Sequence, residues 1–183
     1  METAKIDKTK DWTVDDYLLL GETNTPCQLI NGELIMSPSP TPLHQIVLSN
    51  LNDVIKACSK KVGGLVLFSP LDLYIDNRNV FQPDLIFLSK SQSAYVTERG
   101  IEGPPELLVE VISPSNSYTD RYEKKNAYQK FGVLEYWILD PANQTLEIYY
   151  STDWVKPTLY LAGEGIVTSS VLKELNFNLK DLF

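Results

Sequence analysis

Three observations predict that the chain folds as an α/β protein, with a mixed β-sheet flanked by helices and an N-terminal β-hairpin. Asn31-Gly32 joins two short apolar runs, Cys27–Ile30 and Glu33–Met36, and this is the strongest short signal for a β-hairpin. Between Pro42 and about Lys61 the apolar residues recur at helical spacing. The segment 107–139 has the pattern of strand, helix and strand, which indicates a crossover between parallel strands.

The remaining elements follow from local signals. Thr13 is a favourable N-cap for a short helix that runs to about Leu20. Leu107–Ile112 is a near-continuous apolar strand, and such strands are usually central and covered on both faces. The other expected elements are strands at Leu65–Phe68, Leu71–Ile75 and Asp84–Leu88, a long surface loop at Ser89–Pro105, a break at Ser113–Asn116, a helix from about Ser117 to Phe131, strands at Glu135–Leu139 and Thr145–Tyr150, and one or two strands with a short helix towards Phe183.

Length and composition favour a single domain, 1–183, because the chain contains no internal repeat and no Gly/Ser linker. Cys27 and Cys58 have no metal-ligand or redox spacing, and this sparse use of cysteine fits a reducing compartment. No apolar run approaches the length of a membrane span, and the polar N-terminus lacks the apolar centre of a signal peptide. We therefore expect a soluble cytoplasmic protein.

The net charge of −8 argues against a protein that coats nucleic acid through bulk electrostatics, because phosphate contacts need lysine and arginine. It leaves open a local basic groove, and also a cluster of acidic residues around a bound cation. The sequence contains no Gly-rich phosphate loop, no zinc-ligand spacing and no nucleophile elbow.

Two carboxylates stand out against their surroundings. Glu110 lies inside Leu-Leu-Val-Glu-Val-Ile, where burial is costly for a carboxylate unless it is paired, hydrogen-bonded or bound to a metal. Taken alone, a structural salt bridge explains Glu110 equally well. Asp84 opens the next apolar strand after Pro83, and taken alone it is best explained as a turn or cap residue.

Lys124 is the third unusual residue. On the expected helix Ser117–Phe131 it shares the core-facing side with Tyr128, and Asp120 lies one turn before it on that side. Lys124 is therefore a candidate partner for Glu110. The alternative is a lysine whose stem packs on the core while its ammonium reaches outward to solvent.

Together these residues make a workable phosphodiesterase site. Two carboxylates on adjacent strands can hold Mg²⁺, which prefers oxygen ligands, and a lysine beside them can orient or deprotonate a water molecule. His44, the chain's single histidine, and Glu33, after the Asn-Gly turn, are weaker candidates because exposed residues of these kinds are common.

Several segments also carry a resemblance to a known family. They cover nearly the whole chain, and the run from Glu106 to Pro141 is the most specific. On them the chain resembles the Uma2 family, also called DUF820, of restriction-endonuclease-like proteins in the PD-(D/E)XK nuclease superfamily. The matching segments are Trp12–Tyr17, Asn31–Leu34, Ser37–Pro40 with His44, Pro83–Leu85, Pro105–Ser115, then Asp120, Lys124 and Tyr128, and finally Gly132–Pro141.

The resemblance implies a restriction-endonuclease-like core and roles for particular residues. Asp84 and Glu110 would be the metal-binding acids, together with the backbone carbonyl of Ile112, and the metal would be Mg²⁺ or Mn²⁺. The superfamily's lysine is expected where Ile112 stands, and Lys124 would take its place from the following helix. The resemblance also implies that Glu33 is an accessory acid, that His44, Asp120 and Tyr128 have supporting roles, and that DNA phosphodiesters are hydrolysed through a metal-activated water.

Other functions remain open at this stage. The chain could be a catalytically inactive module on the same fold, binding nucleic acid or protein and linked to mobile elements, and its acidic charge favours this. It could also hydrolyse another phosphorylated substrate at the same site. We expect a homodimer, because edge strands need cover and the tyrosine-rich C-terminal half includes Trp154 and Tyr160, which we expect to be exposed.

Overall fold

A computed structural model describes residues 10–21, 26–113 and 117–183. Residues 114–116, which belong to the expected break at Ser113–Asn116, lie outside the described residues. The helices and strands are α1 Val14–Leu18, β1 Cys27–Ile30, β2 Glu33–Met36, α2 Pro42–Val62, β3 Leu65–Phe68, β4 Leu73–Asp76, β5 Asn79–Phe81, β6 Leu85–Leu88, β7 Leu107–Val111, α3 Lys125–Phe131, β8 Glu135–Asp140, β9 Thr145–Tyr150, β10 Asp153–Leu161, β11 Val167–Thr168 and β12 Asn176–Phe177, with 3₁₀ helices at Lys90–Tyr95 and Leu179–Leu182 and a π-helix at Thr119–Lys124.

The main sheet has six strands in the order β10-β9-β8-β7-β6-β3. Strands β7 and β8 are parallel and the other neighbours are antiparallel, so the predicted crossover and the mixed sheet are confirmed. β7 lies in the middle of the sheet and every residue in it is buried, as its apolar sequence predicted.

Alternate residues of the central strands pack into two different cores. Val109 and Val111 face α2 and pack with its Leu51 and Ile55. Leu108 lies on the opposite face, in a second core. That second core also contains Tyr128, Tyr136, Ile138 and Trp154.

A second sheet, β2-β1-β5-β4, carries the predicted hairpin. Asn31 and Gly32 both have positive φ, 52° and 84°, as the tight turn between β1 and β2 requires. Strand β5 was missed, and the expected strand at Leu71–Ile75 begins only at Leu73. The expected loop Ser89–Pro105 is also not entirely on the surface, since Ile101 is buried and pairs with Leu73.

Helix α2 has the predicted extent and well-defined ends. The Thr41 hydroxyl accepts a hydrogen bond from the backbone N–H of His44, Pro42 occupies the first turn, and Gly63 ends the helix at φ 68°. None of the helices in the described residues is both long and apolar enough to cross a membrane. The N-cap of α2 places His44 beside the strand ends of the main sheet.

The helical segment after β7 departs from the regular helix expected for Ser117–Phe131. Residues Thr119–Lys124 form a π-helix, which continues directly into α3 and ends at Gly132 with φ 99°. Short π-helical segments occur frequently at functional sites, and this one carries Asp120 and Lys124.

The expectation of an exposed Trp154 is wrong, because only 6% of the residue is accessible. Its ring stacks on Tyr136 at 6.2 Å and on Tyr149 at 6.4 Å between centroids. Tyr160, also expected to be exposed, is half-buried against the core that includes α2. Both rings come from β10 at the sheet edge, where they cover the neighbouring strands. The expected homodimer stays a prediction.

Candidate active site

Asp84 and Glu110 meet because their strands are antiparallel neighbours. Leu85 of β6 lies opposite Val109 of β7, so continuing the register by one residue sets Asp84 opposite Glu110. Side chains at opposite positions project from the same face of the sheet. The backbone N–H of Val111 donates to Asp84 Oδ2 at 2.7 Å, which fixes the aspartate at the end of the ladder.

Glu110 is buried, with 4% of the residue accessible. Its Oε1 accepts hydrogen bonds from Lys124 Nζ at 2.9 Å and from the Tyr128 hydroxyl at 2.8 Å. Burial raises the pKa of the Glu110 carboxyl well above its ordinary value, and the charges of Asp120 and Asp84 add to this against the opposing Lys124 ammonium. The apolar neighbours in the sequence predicted that Glu110 is buried. The structure adds its partner, Lys124, and the two nearby carboxylates, Asp120 and Asp84, that raise its pKa.

Lys124 lies between two carboxylates. Besides Glu110, its Nζ contacts Asp120 Oδ1 at 3.2 Å, and its side chain is only 6% accessible. Burial alone would lower the pKa of Lys124, but Glu110 and Asp120 raise it above its ordinary value. The lysine is therefore a protonated ammonium, and the alternative of an outward-reaching side chain is wrong.

Asp120 holds the π-helix against the sheet as well as pairing with Lys124. Its backbone carbonyl accepts a hydrogen bond from the buried Tyr136 hydroxyl at 3.0 Å. Burial also raises the pKa of the Asp120 carboxyl. Glu110 and Asp120 thus share one buried lysine, while Asp84 contacts His44.

His44 reaches the same site from the first turn of α2. Its Nε2 lies 3.2 Å from Asp84 Oδ1. Burial would lower the pKa of His44, but the hydrogen bond and charge of Asp84 outweigh burial, so the pKa is raised. The histidine that looked weak in the sequence is thus in direct contact with one of the two central acids.

Of the two remaining expected site residues, Ile112 lies at the site and Glu33 does not. Ile112 follows β7, its backbone N–H donates to the Leu139 carbonyl at 2.9 Å, and it lines the same cleft as Glu110. Glu33 is exposed at the start of β2 and is not among the described residues that line this cleft. The structure therefore does not bring Glu33 together with the other acids.

The floor of a cleft with a volume of about 690 Å³ is formed by the site residues His44, Asp84, Glu110, Ile112, Asp120 and Lys124. Its walls include the segment 37–41, the cis Ser69-Pro70 peptide with the neighbouring Phe68, and Gln28 and Gln82. No site role was expected for these wall residues, although Ser37–Pro40 belongs to the segments that carry the family resemblance and Gln82 lies two positions before Asp84. The others come from the hairpin and from β3, far away in the chain.

The donor set fits a divalent cation that keeps part of its water shell. Among the described residues, no group of three or more His, Cys, Asp or Glu side chains could hold a metal ion, so there is no closed cage. Mg²⁺ is commonly held by one or two carboxylates with water completing its shell, and Asp84 with Glu110 supplies two. Carboxylate and carbonyl oxygens suit Mg²⁺ or Mn²⁺ better than softer metals.

The fold is shared with a solved nuclease-type structure. It matches the crystal structure, at 1.96 Å resolution, of a "putative nuclease belonging to DUF820" from Anabaena variabilis ATCC 29413, with a TM-score of 0.81. The two sequences are 24% identical over 93% of this chain and 97% of the other. At this identity the likeness shows a common fold, which confirms the predicted architecture.

Sequence comparison identifies the family. The Uma2 family, described as "Putative restriction endonuclease", matches residues 14–180. The chain therefore belongs to the Uma2 family, and the resemblance seen in the sequence is confirmed. A comparison with curated proteins found no match.

Proposed function

We propose that this protein is a Mg²⁺- or Mn²⁺-dependent nuclease that hydrolyses DNA phosphodiester bonds. The observation that carries the proposal is the placement of Asp84 opposite Glu110 on the cleft floor, with the Lys124 ammonium 2.9 Å from Glu110. Membership of a family described as "Putative restriction endonuclease" supports the same reaction class.

The two acids and the carbonyl of Ile112 would hold the metal. When bound, a divalent cation supplies a Lewis acid that polarises the phosphodiester and favours ionisation of the attacking water. Tyr128 fixes Glu110 through the 2.8 Å hydrogen bond to Oε1, and His44 orients Asp84 through its Nε2. Both contacts keep the carboxylates in place before a substrate arrives.

Lys124 stabilises negative charge in this proposal. Because Glu110 and Asp120 keep it protonated, it is poorly suited to take a proton from water. A preorganised ammonium in a water-poor site stabilises charge that develops on the phosphate during attack. Asp120, 3.2 Å from the ammonium, positions it.

The test compares metal-dependent DNA cleavage by the wild type with that by Asp84→Asn and Glu110→Gln. Each substitution should reduce the rate by at least about a hundredfold, the scale expected when one charged group of a catalytic site is lost. Asp53→Asn is the matched control, because Asp53 is an exposed acid on α2 outside the cleft. Cleavage that survives both substitutions would sink the assignment.

A rival is supported by one specific observation: the ion pairs of Lys124 with Glu110 and Asp120 already neutralise part of the site without a metal. An inactive nuclease-fold module that binds nucleic acid or protein would retain these ion pairs, because they stabilise the site without a metal ion. Calorimetric titration separates the two proposals. Binding of Mg²⁺ or Mn²⁺ that is lost in Asp84→Asn supports the nuclease, whereas no binding by the wild type supports the module.

A further inference from the structure

We propose that the cleft accepts an unpaired DNA strand and not an intact duplex. This proposal rests on the proposed function, since it names the substrate form that the site around Asp84 and Glu110 would take. Depth, charge and the chemistry of the walls all support it.

The first observation is the depth of the reacting groups. The side chains of Glu110 and Lys124 are only 5% and 6% accessible, although both line the cleft. A phosphodiester must therefore enter the cleft to approach them. The volume of about 690 Å³ matches pockets that enclose a small ligand, whereas duplex recognition generally uses broad surfaces. One strand with its bases turned aside suits this space better than two paired strands.

The second observation is the charge of the walls. Lys124 is the only lysine or arginine among the described residues that line the cleft, and its ammonium is engaged by Glu110 and Asp120. Binding of a duplex depends mainly on lysine and arginine contacts to phosphates. Among the described lining residues, no lysine or arginine is therefore available for phosphates, so a strand must be held through its bases, which only an unpaired strand exposes.

The third observation is that the walls carry polar, uncharged side chains and an exposed aromatic ring. Hydroxyl and amide side chains line them, including Ser39, Thr41 and Gln45, and such groups can hydrogen-bond the base edges that are free only in unpaired strands. Phe68 also lines the cleft and is 56% exposed. An exposed aromatic ring in the lining of a cleft is a stacking platform for a base.

The experiment uses three DNA substrates of the same sequence: a single strand, a fully paired duplex, and a duplex with a central unpaired bubble. With Mg²⁺ or Mn²⁺, cleavage of the single strand and cleavage within the bubble should be at least about tenfold faster than cleavage of the paired duplex. Equal or faster cleavage of the paired duplex would overturn the inference while leaving the proposed function standing.

If none of the three substrates is cleaved, that result counts against the proposed function. A binding measurement then still tests the inference about the form of the DNA. Fluorescence anisotropy with the full-length wild-type protein should show tighter binding of the single strand than of the duplex. Phe68→Ala should weaken single-strand binding about tenfold, the scale of one lost base–aromatic stack, and should leave metal binding unchanged. Leu65→Ala is the matched control, because Leu65 is an exposed apolar residue of the same strand outside the cleft lining. Equal affinity for duplex and single strand, or an unaffected Phe68→Ala, contradicts the inference.

Discussion

Lys124 donates to Glu110 across 2.9 Å inside the protein, where neither side chain is more than 6% accessible. The two residues lie on consecutive elements, a central strand and the helix that follows it. A buried ion pair of this kind contributes little net stability, but the loss of one partner leaves an uncompensated charge.

Lys124→Met should therefore destabilise the protein by roughly 3–5 kcal/mol, because it leaves Glu110 and Asp120 without their shared cation. Denaturation in urea measures the change. Lys125→Met is the matched control, since Lys125 is half-exposed and its Nζ lies 4.6 Å from the centroid of the Tyr149 ring. The double variant Lys124→Met with Glu110→Gln should recover part of the loss, and a double variant less stable than either single one would contradict this account.

The same lysine should affect catalysis in a particular way. In a variant that remains folded, Lys124→Met should lower kcat by about a hundredfold or more, because the charge acts on the transition state. The dependence of the rate on pH should not reflect deprotonation of Lys124, since Glu110 and Asp120 keep it protonated. A rate that rises with a basic pKa, and loses that dependence in Lys124→Met, would show that Lys124 is a base.

His44 should report on Asp84 through its own titration. It is the only histidine in the chain, so its ring signals in an NMR titration are unambiguous. Without metal its pKa should lie above the ordinary 6.5, because the contact with Asp84 outweighs burial, and Asp84→Asn should lower it. Mg²⁺ bound at Asp84 should lower it as well, by competing for the carboxylate. A His44 pKa that Mg²⁺ does not change would argue against Asp84 as a ligand.

The raised pKa of His44 also predicts how stability depends on pH. A histidine whose pKa is higher in the folded state contributes stability that is fully present below the unfolded value of about 6.5. That contribution is lost as the pH rises through the folded-state pKa. Thermal unfolding of His44→Gln and the wild type, compared without metal, should therefore differ most below about pH 6.5 and converge at higher pH. A difference that grows with pH contradicts the contact with Asp84.

A second buried carboxylate, Glu135 of β8, should be purely structural. It accepts hydrogen bonds from the Trp137 indole at 3.0 Å, from the hydroxyls of Ser169 and Ser170, from the backbone N–H of Ser170, and from the N–H of Val171 at 3.2 Å. Glu135→Ala should cost about 3 kcal/mol or more, because several donors lose a charged acceptor at once. Hydrogen exchange at Val171 should accelerate, while binding of Mg²⁺ should be unchanged. Loss of metal binding in a folded variant would show that Glu135 is connected to the site.

The parts of the molecule that the sequence predicted are those governed by neighbours in the chain. Asn31-Gly32 requires positive φ at both turn residues. The expected helical period placed Lys124 on the core-facing side, and Lys124 is buried, although Thr119–Lys124 forms a π-helix. Strand β5 escaped detection because it is only three residues long. It pairs with the adjacent β4, but its other partner is the distant β1, where Leu29 pairs with Val80.

The candidate site divides in the same way. Glu110 and Lys124 are fourteen positions apart and could be related through one strand and one helix. The contact between His44 and Asp84 spans forty positions and depends on how α2 is placed against the sheet. Glu33 followed a family pattern, yet the hairpin leaves it on the exposed side, away from the cleft.

Glu110 and Glu135 lie on neighbouring parallel strands but belong to opposite faces of the sheet. One face closes the C-terminal segment onto the core through Glu135, and the other holds the acidic site. Because none of the residues that donate to Glu135 lines the cleft, substitutions in the cleft walls leave this closure of the C-terminal segment in place.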